Sequence, residues 1–169
     1  MAEPDPNALT VTVVQHAAIA MLLVRRGMAA ETSRVLREHC GVDLPLPGRQ
    51  SISGNDALLW SGPDRFLVVR DAGDGESAGE LGAKLQGLAY VADVSSSRTV
   101  LNVSGASAAE HLSRTLPIDL HPRAFPPGSV AMTLAAHIPV QVWRPDAYSF
   151  RLAVASSLAA SFQRQLAGL

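Results

Sequence analysis

Residues 57–69, Ala-Leu-Leu-Trp-Ser-Gly-Pro-Asp-Arg-Phe-Leu-Val-Val, set two short apolar runs, Ala57–Trp60 and Phe66–Val69, on either side of Gly62, Pro63 and Asp64. Proline pre-sets one turn dihedral, glycine and aspartate tolerate the left-handed region, and β-forming residues flank them, so the segment predicts a hairpin. A connection this short can join only antiparallel strands. Strand-length runs recur downstream: Tyr90–Val94 and Thr99–Val103 flank a serine turn, and Val130–Leu134, Val140–Trp143 and Tyr148–Val154 follow in series. Upstream, Ala18–Val24 is an apolar run that stops at Arg25, Arg26 and Gly27 and reads as a buried strand.

Helices are expected between these strands. Met28–His39 puts Ala29, Val35 and Leu36 near one face and Glu31, Arg34 and Glu38 elsewhere, with Gly41 as a left-handed stop. Others are expected near Glu80–Gln86, from a Ser107 cap to about Thr115 where Pro117 forbids extension, and from Ser157 through Phe162 and Leu166. Leu44–Gly54 reads as a loop, and the acidic, glycine-rich Asp71–Gly79 as a solvated one. The fold class is therefore α+β, with mainly antiparallel sheets and helices packed on one face; a doubly wound parallel sheet is disfavoured. Residues 1–17 are expected to be a mobile N-terminal segment and 18–169 a single domain.

The chain carries an internal echo. Trp60, Pro63, Asp64 and Phe66 before Leu67-Val68-Val69 parallel Trp143, Pro145, Asp146 and Phe150 before Leu152-Ala153-Val154. Duplication would make each half one strand-helix-hairpin-helix repeat. Two unrelated hairpins that both favour Pro-Asp turns would give the same echo.

Composition narrows the function. Of 169 residues 47% are hydrophobic but only 5% aromatic, so the core must be built from Leu, Val and Ala. A net charge of -1 with no basic stripe excludes nucleic acid and anionic membrane surfaces as expected partners. Cys40 is the sole cysteine, which leaves no disulfide framework and points to a reducing, cytoplasmic setting. The acidic, proline-bearing start is unlike a secretory signal, and Ala17–Val24 is too short to span a bilayer.

No catalytic constellation assembles from the residues. His39 and His111 fall in helices without the spacing of a metal or dyad site, and His16 and His137 stand alone beside strands. Ser95–Ser97 follow Asp93 without a glycine-framed elbow, and Gly73 and Gly75 lack the lysine of a phosphate cradle. The most concentrated contact-capable set is Asp119, His121, Arg123 and Phe125, on a loop stiffened by Pro122, Pro126 and Pro127. Arg and Phe are favoured interface anchors, so His121, Arg123 and Phe125 are the expected contact residues, against the plainer reading of a loop stiffened for stability.

From Val91 to Arg144 the sequence resembles the gamma subunit of heterotetrameric sarcosine oxidase. The motifs that carry the resemblance are Asp93-Val94-Ser95 with Arg98, Leu101 and Ser104-Gly105, then Pro117, Asp119-Leu120-His121-Pro122-Arg123 and Phe125-Pro126-Pro127-Gly128. Weaker agreement takes in Ala57–Trp60 with Gly62-Pro63-Asp64 and the last strand and helix. The resemblance implies a non-catalytic subunit with no cofactor or metal of its own, acting in assembly and stability. It implies partners alpha, beta and delta, chiefly alpha, which between them carry FAD, FMN, NAD, tetrahydrofolate and zinc. The complex would demethylate sarcosine or a related N-methyl amine to glycine, hydrogen peroxide, and formaldehyde or methylene-tetrahydrofolate.

The same region is similar to the folate-binding domain of the glycine-cleavage aminomethyltransferase, whose pattern Asp119, Gly128 and Thr133 match. Ile118 and Met132 stand where that enzyme has asparagine and tyrosine. The alternative reading is a small folate-binding or one-carbon transfer module in which Asp119 orients the pterin or takes a proton. A third is a stand-alone domain of this fold.

Overall fold

The computed structural model describes residues 9–71 and 77–168. Residues 1–8 of the expected N-terminal segment and 72–76 of the acidic loop lie outside them. The described residues form two compact units, one of 15–71 with 77–96, the other of 9–14 with 97–168, where the sequence suggested one domain over 18–169.

The first unit runs β2 (His16–Val24), α1 (Ala29–Cys40), β3 (Gln50–Ser53), β4 (Asp56–Gly62), β5 (Arg65–Asp71), α2 (Ala78–Lys84) and β6 (Ala89–Asp93). Its sheet has the order β3-β4-β5-β2-β6 and its ladders are antiparallel. The 57–69 hairpin forms as its turn residues dictate: Leu59 pairs Leu67, Trp60 pairs Phe66, and Asp64 takes the left-handed φ of 56°. Leu22, Val24, Leu58 and Phe66 meet Leu36 of α1 and Leu81 of α2 in one core, so both helices lie on the same face. Each such side chain contributes about 1.5–3 kcal/mol by leaving water.

Local signals account for the helix ends. Gly41 stops α1 at φ 68°, its N–H donating to Arg37 O, a conformation that costs a residue with a Cβ. Ser77 and Glu80 close a reciprocal capping box ahead of α2. This Ser-x-x-Glu signal starts α2 at Ala78, ahead of the helix expected near Glu80–Gln86. Gln50–Ser53, expected to be loop, is an edge strand whose four residues are too few to show a period.

The second unit comprises β1 (Thr10–Val13), β7 (Arg98–Ser104), α3 (Ala108–Ser113), β8 (Val130–Ala135), β9 (Ile138–Trp143), β10 (Ser149–Ala155) and α4 (Ser156–Ala167). Its sheet has the order β1-β7-β10-β9-β8. Leu101, Val103, Phe150, Leu152 and Val142 pack against Leu112 of α3 and Phe162 and Leu166 of α4. Neither serine expected to cap a helix does so: Ser107 makes no side-chain cap bond, and Ala155 is the residue that precedes α4. Residues 10–13, read from the sequence as part of the tail, pair with β7 from Thr10↔Ser104 to Val13↔Leu101.

The two sheets share one plan. A first strand, a helix, three meandering strands and a second helix follow in the same order, and each first strand lies beside the last strand of its meander. The outer neighbour of the first strand is β6, directly after α2, in one unit, and β1, from the start of the chain, in the other. The aromatic echo does not hold residue for residue. Trp60 packs on the helix-side core, whereas at Trp143 the alternate residue Val142 faces the core.

Arg70 and Asp56 sit opposite one another on β5 and β4 and form an ion pair, with side chains only 8% and 17% exposed and a second contact of 2.8 Å. Removing one member leaves a charge in a poorly hydrated site. We expect Asp56→Ala to destabilise the chain by about 3–5 kcal/mol in urea unfolding, well beyond an exposed Asp→Ala change.

Candidate functional site

The loop 117–129 leaves α3 and enters β8. Asp119 Oδ1 accepts the His121 N–H at 2.8 Å, and His121 O accepts the N–H of both Ala124 and Phe125, so two turns follow directly on one another. Gly128 then takes φ 89°, its N–H donating to Arg144 O at 2.8 Å, and the Arg144 N–H returns a bond to Ser129 O. These bonds fix the loop against the end of β9.

The structure divides the expected contact residues. Asp119, His121 and Arg123 are exposed. Phe125 corrects the expectation: it is 7% exposed, belongs to the core, and stacks on Phe150 with ring centroids 6.4 Å apart. Its aromatic bulk read as an interface anchor from sequence, but the turn at His121 carries it inward. An open groove of about 390 Å³ runs between α3 and the loop, lined by Glu110, Ser113, Ile118, Asp119, His121 and Pro122 among others.

The residue that organises this region carries no signal of that role in the sequence. Arg144, 4% exposed, lies at the end of β9 with its guanidinium carbon 4.9 Å from the Phe150 ring centroid. Nη1 donates to Phe125 O at 2.9 Å, Nη2 to Ala147 O at 2.6 Å and Nε to Asp146 O at 3.2 Å, and Nη1 lies 3.5 Å from Leu120 O. A buried guanidinium requires such acceptors because desolvation of the cation is otherwise prohibitive. In sequence an arginine at a strand end beside proline reads as a solvated charge.

Other chemistry-bearing side chains are engaged structurally. The Ser95 hydroxyl accepts the Ile19 N–H at 2.9 Å and donates to Asp93 at 2.6 Å. Through that hydroxyl first, and the Ser95 amide next, the Asp93 carboxyl is held below its ordinary range. His111 Nε2 donates to Leu166 O at 2.6 Å, tying α3 to the end of α4. His137 lies in the two-residue β8–β9 turn with Ala136, both at positive φ, and is exposed. No group of three or more metal-ligating side chains occurs among the described residues, and none of their helices is long and apolar enough to cross a membrane.

Asp146 is tied in by its own turn. Partial burial is the largest single influence and pushes its carboxyl up. Bonds from the Ser149 hydroxyl and from the Tyr148 and Ser149 amides, with the charge of Arg144, together outweigh it and hold it below the usual 3.8. A carboxyl depressed in the folded state adds stability above its unfolded value and loses it as pH falls through the folded one. We therefore expect Asp146→Asn to be less stable than the parent at neutral pH, the gap closing below about pH 4 in a urea-unfolding series.

A family model described as "Sarcosine oxidase, gamma subunit family" matches residues 26–167. The curated sarcosine oxidase subunit gamma of an Arthrobacter species is 45% identical over 95 residues, 56% of this chain and 46% of that protein. Its counterpart from Corynebacterium sp. strain U-96 is 37% identical over 115 residues, 66% of this chain and 56% of that one. The chain thus spans about half the length of the curated relatives it matches. A chain in the structure of heterotetrameric sarcosine oxidase from Corynebacterium sp. U-96 superposes with TM-score 0.83 at 30% identity, covering 96% of this chain and 83% of that one. The aminomethyltransferase T of the Bartonella henselae glycine cleavage system superposes with TM-score 0.65 at 17% identity, over 95% of this chain and 45% of that one, a likeness of fold.

Proposed function

Because the chain belongs to the sarcosine oxidase gamma subunit family, we propose that it serves as the non-catalytic gamma subunit of a heterotetrameric sarcosine oxidase in the cytoplasm. The observation that carries this reading is the superposition over 96% of the chain at TM-score 0.83 on a chain of such an oxidase. On this reading the complex demethylates sarcosine or a related N-methyl amine to glycine, with hydrogen peroxide and formaldehyde or methylene-tetrahydrofolate as the other products. FAD, FMN, NAD, tetrahydrofolate and zinc are held by the alpha, beta and delta subunits, and the present chain, docked chiefly on alpha, contributes assembly and stability.

The side-chain chemistry supports a structural role. Ser95, His111 and Arg144, which could otherwise bind or react, spend hydrogen bonds on backbone groups, and Ser95 also on the Asp93 carboxylate. The exposed His121 and Arg123 remain the proposed contacts. The folate reading asks Asp119 to orient a pterin, yet its Oδ1 already accepts the His121 amide.

An affinity-tagged chain recovered from its native cells should bring down two larger chains with a yellow flavin spectrum, identified by absorbance and mass spectrometry. A colourless, solitary chain would overturn the subunit reading. Calorimetry of the isolated chain with tetrahydrofolate should show no heat of binding; saturable binding would move the assignment to the folate module.

A further inference from the structure

The β8–β9 hairpin leaves one side of β8 open. Its loop is the two residues Ala136 and His137, both at positive φ, and Ala135 pairs Ile138 across it, so that closing pair exchanges backbone bonds. Bonded and non-bonded pairs alternate along an antiparallel ladder. The N–H and C=O of Ala131, Thr133 and Ala135 therefore turn toward β9, and those of Met132 and Leu134 turn away from it. The far end agrees, since Ser129 O accepts the Arg144 N–H. So does Pro139, which stands opposite Leu134 and has no N–H to give. β8 is the last strand of its sheet, and no other strand of the described residues pairs with its outward side.

The same two residues carry exposed apolar side chains. Met132 is 49% exposed and Leu134 52%, on one face of the strand, whereas Val130 at 4% closes the edge at its start. Edge strands are ordinarily kept from pairing by a charge, a proline, a bulge or shortness. β1 and β3 have four residues each, and β6 ends on Asp93. β8 has six residues, an unshifted register, and neither charge nor proline. Residues 130–143, the whole hairpin, contain no Asp, Glu, Lys or Arg. Outward amides and carbonyls flanked by apolar side chains match one class of ligand, an extended main chain that brings its own N–H and C=O groups and alternate apolar residues. Between Val130 and the turn the open stretch is too short to hold two chains together by itself, since a specific interface buries upward of about 1,000 Å². The added segment therefore belongs to a chain held here by further contacts, as the subunits of one complex are.

We propose that the β8 edge at Met132 and Leu134 receives an extended, uncharged segment of another oxidase subunit, which joins this sheet as a strand beyond β8. This rests on the reading of the chain as an oxidase subunit and adds to it the edge, the main-chain chemistry of its ligand and the two residues that bond it. Met132 and Leu134 each offer one N–H and one C=O to the added strand. Its alternate side chains lie on the Met132 and Leu134 face, where no charged side chain of the hairpin has to leave water.

The test uses the full chain produced with its oxidase partners. Hydrogen exchange read amide by amide should find Met132 and Leu134 fast in the isolated chain, where Ala131 and Thr133 are already slow, and slowed at least about tenfold in the purified complex. Met132→Pro deletes one outward N–H and no bond to β9, a position where edge strands tolerate proline. Leu134→Lys sets a charge on the edge. Each isolated variant should melt within a few degrees of the parent. Each should weaken recovery of the flavin-bearing chains about tenfold in a size-exclusion dilution series, the weight of a bonding group left without its partner. Met132→Leu keeps both the N–H and the apolar bulk and should dock as the parent does.

If the parent recovers its flavin-bearing partners while the Met132 and Leu134 amides exchange as fast as in the isolated chain, the inference is overturned and the subunit reading stands. Slow amides with parental docking in both Met132→Pro and Leu134→Lys would overturn main-chain pairing. Protection that appears in the isolated chain as its concentration rises would give the edge to a second copy and overturn the oxidase segment. Should Met132→Pro fail to fold, exchange in the parent and docking of Leu134→Lys decide the edge by the same comparisons. A parent chain that recovers no flavin-bearing partner would sink the subunit reading, and this inference with it.

Discussion

Each sheet depends on a first strand paired along both edges. β2 lies between β5 and β6, and β7 between β10 and β1. Backbone N–H and C=O groups of a buried strand must find partners on both sides, so a neighbour is needed beyond the meander. The first unit draws it from the residues after α2, while the second draws it from the opposite end of the chain.

In the second unit a single buried cation extends this order beyond the sheet. Backbone carbonyls from 120, 125, 146 and 147 converge on Arg144, and the stacked Phe150 and Phe125 rings lie beneath it. Charge-assisted bonds of this kind are stronger than neutral ones, and leaving a buried cation short of them is costly. The result is a long, proline-bearing loop that behaves as part of the framework. Its outward residues, Asp119, His121 and Arg123, are therefore presented from a fixed base.

A shared fold separates ancestry from chemistry here. The aminomethyltransferase likeness is a statement about strands and helices, and the same framework hosts different work in different proteins. In this chain the serine, histidine and arginine side chains that might have been read as reactive instead satisfy backbone groups.

The amino-acid sequence by itself determined the α+β class, because Gly62, Pro63, Asp64 and their flanking runs permit only a tight hairpin, and it determined the end of α1 at Gly41. The motifs between Asp93 and Gly128, taken together as local strings of residues, carried the resemblance to its family. Tertiary structure alone decided the rest. Thr10–Val13 becomes a strand only by pairing with residues some ninety positions away, and four-residue segments such as Gln50–Ser53 take their conformation from a neighbour rather than from their own period. Phe125 and Arg144 look like surface residues in a loop and at a strand end, but whether an aromatic or a cation is buried depends on where distant carbonyls and rings converge. That convergence is a property of the folded chain, and no local pattern encodes it.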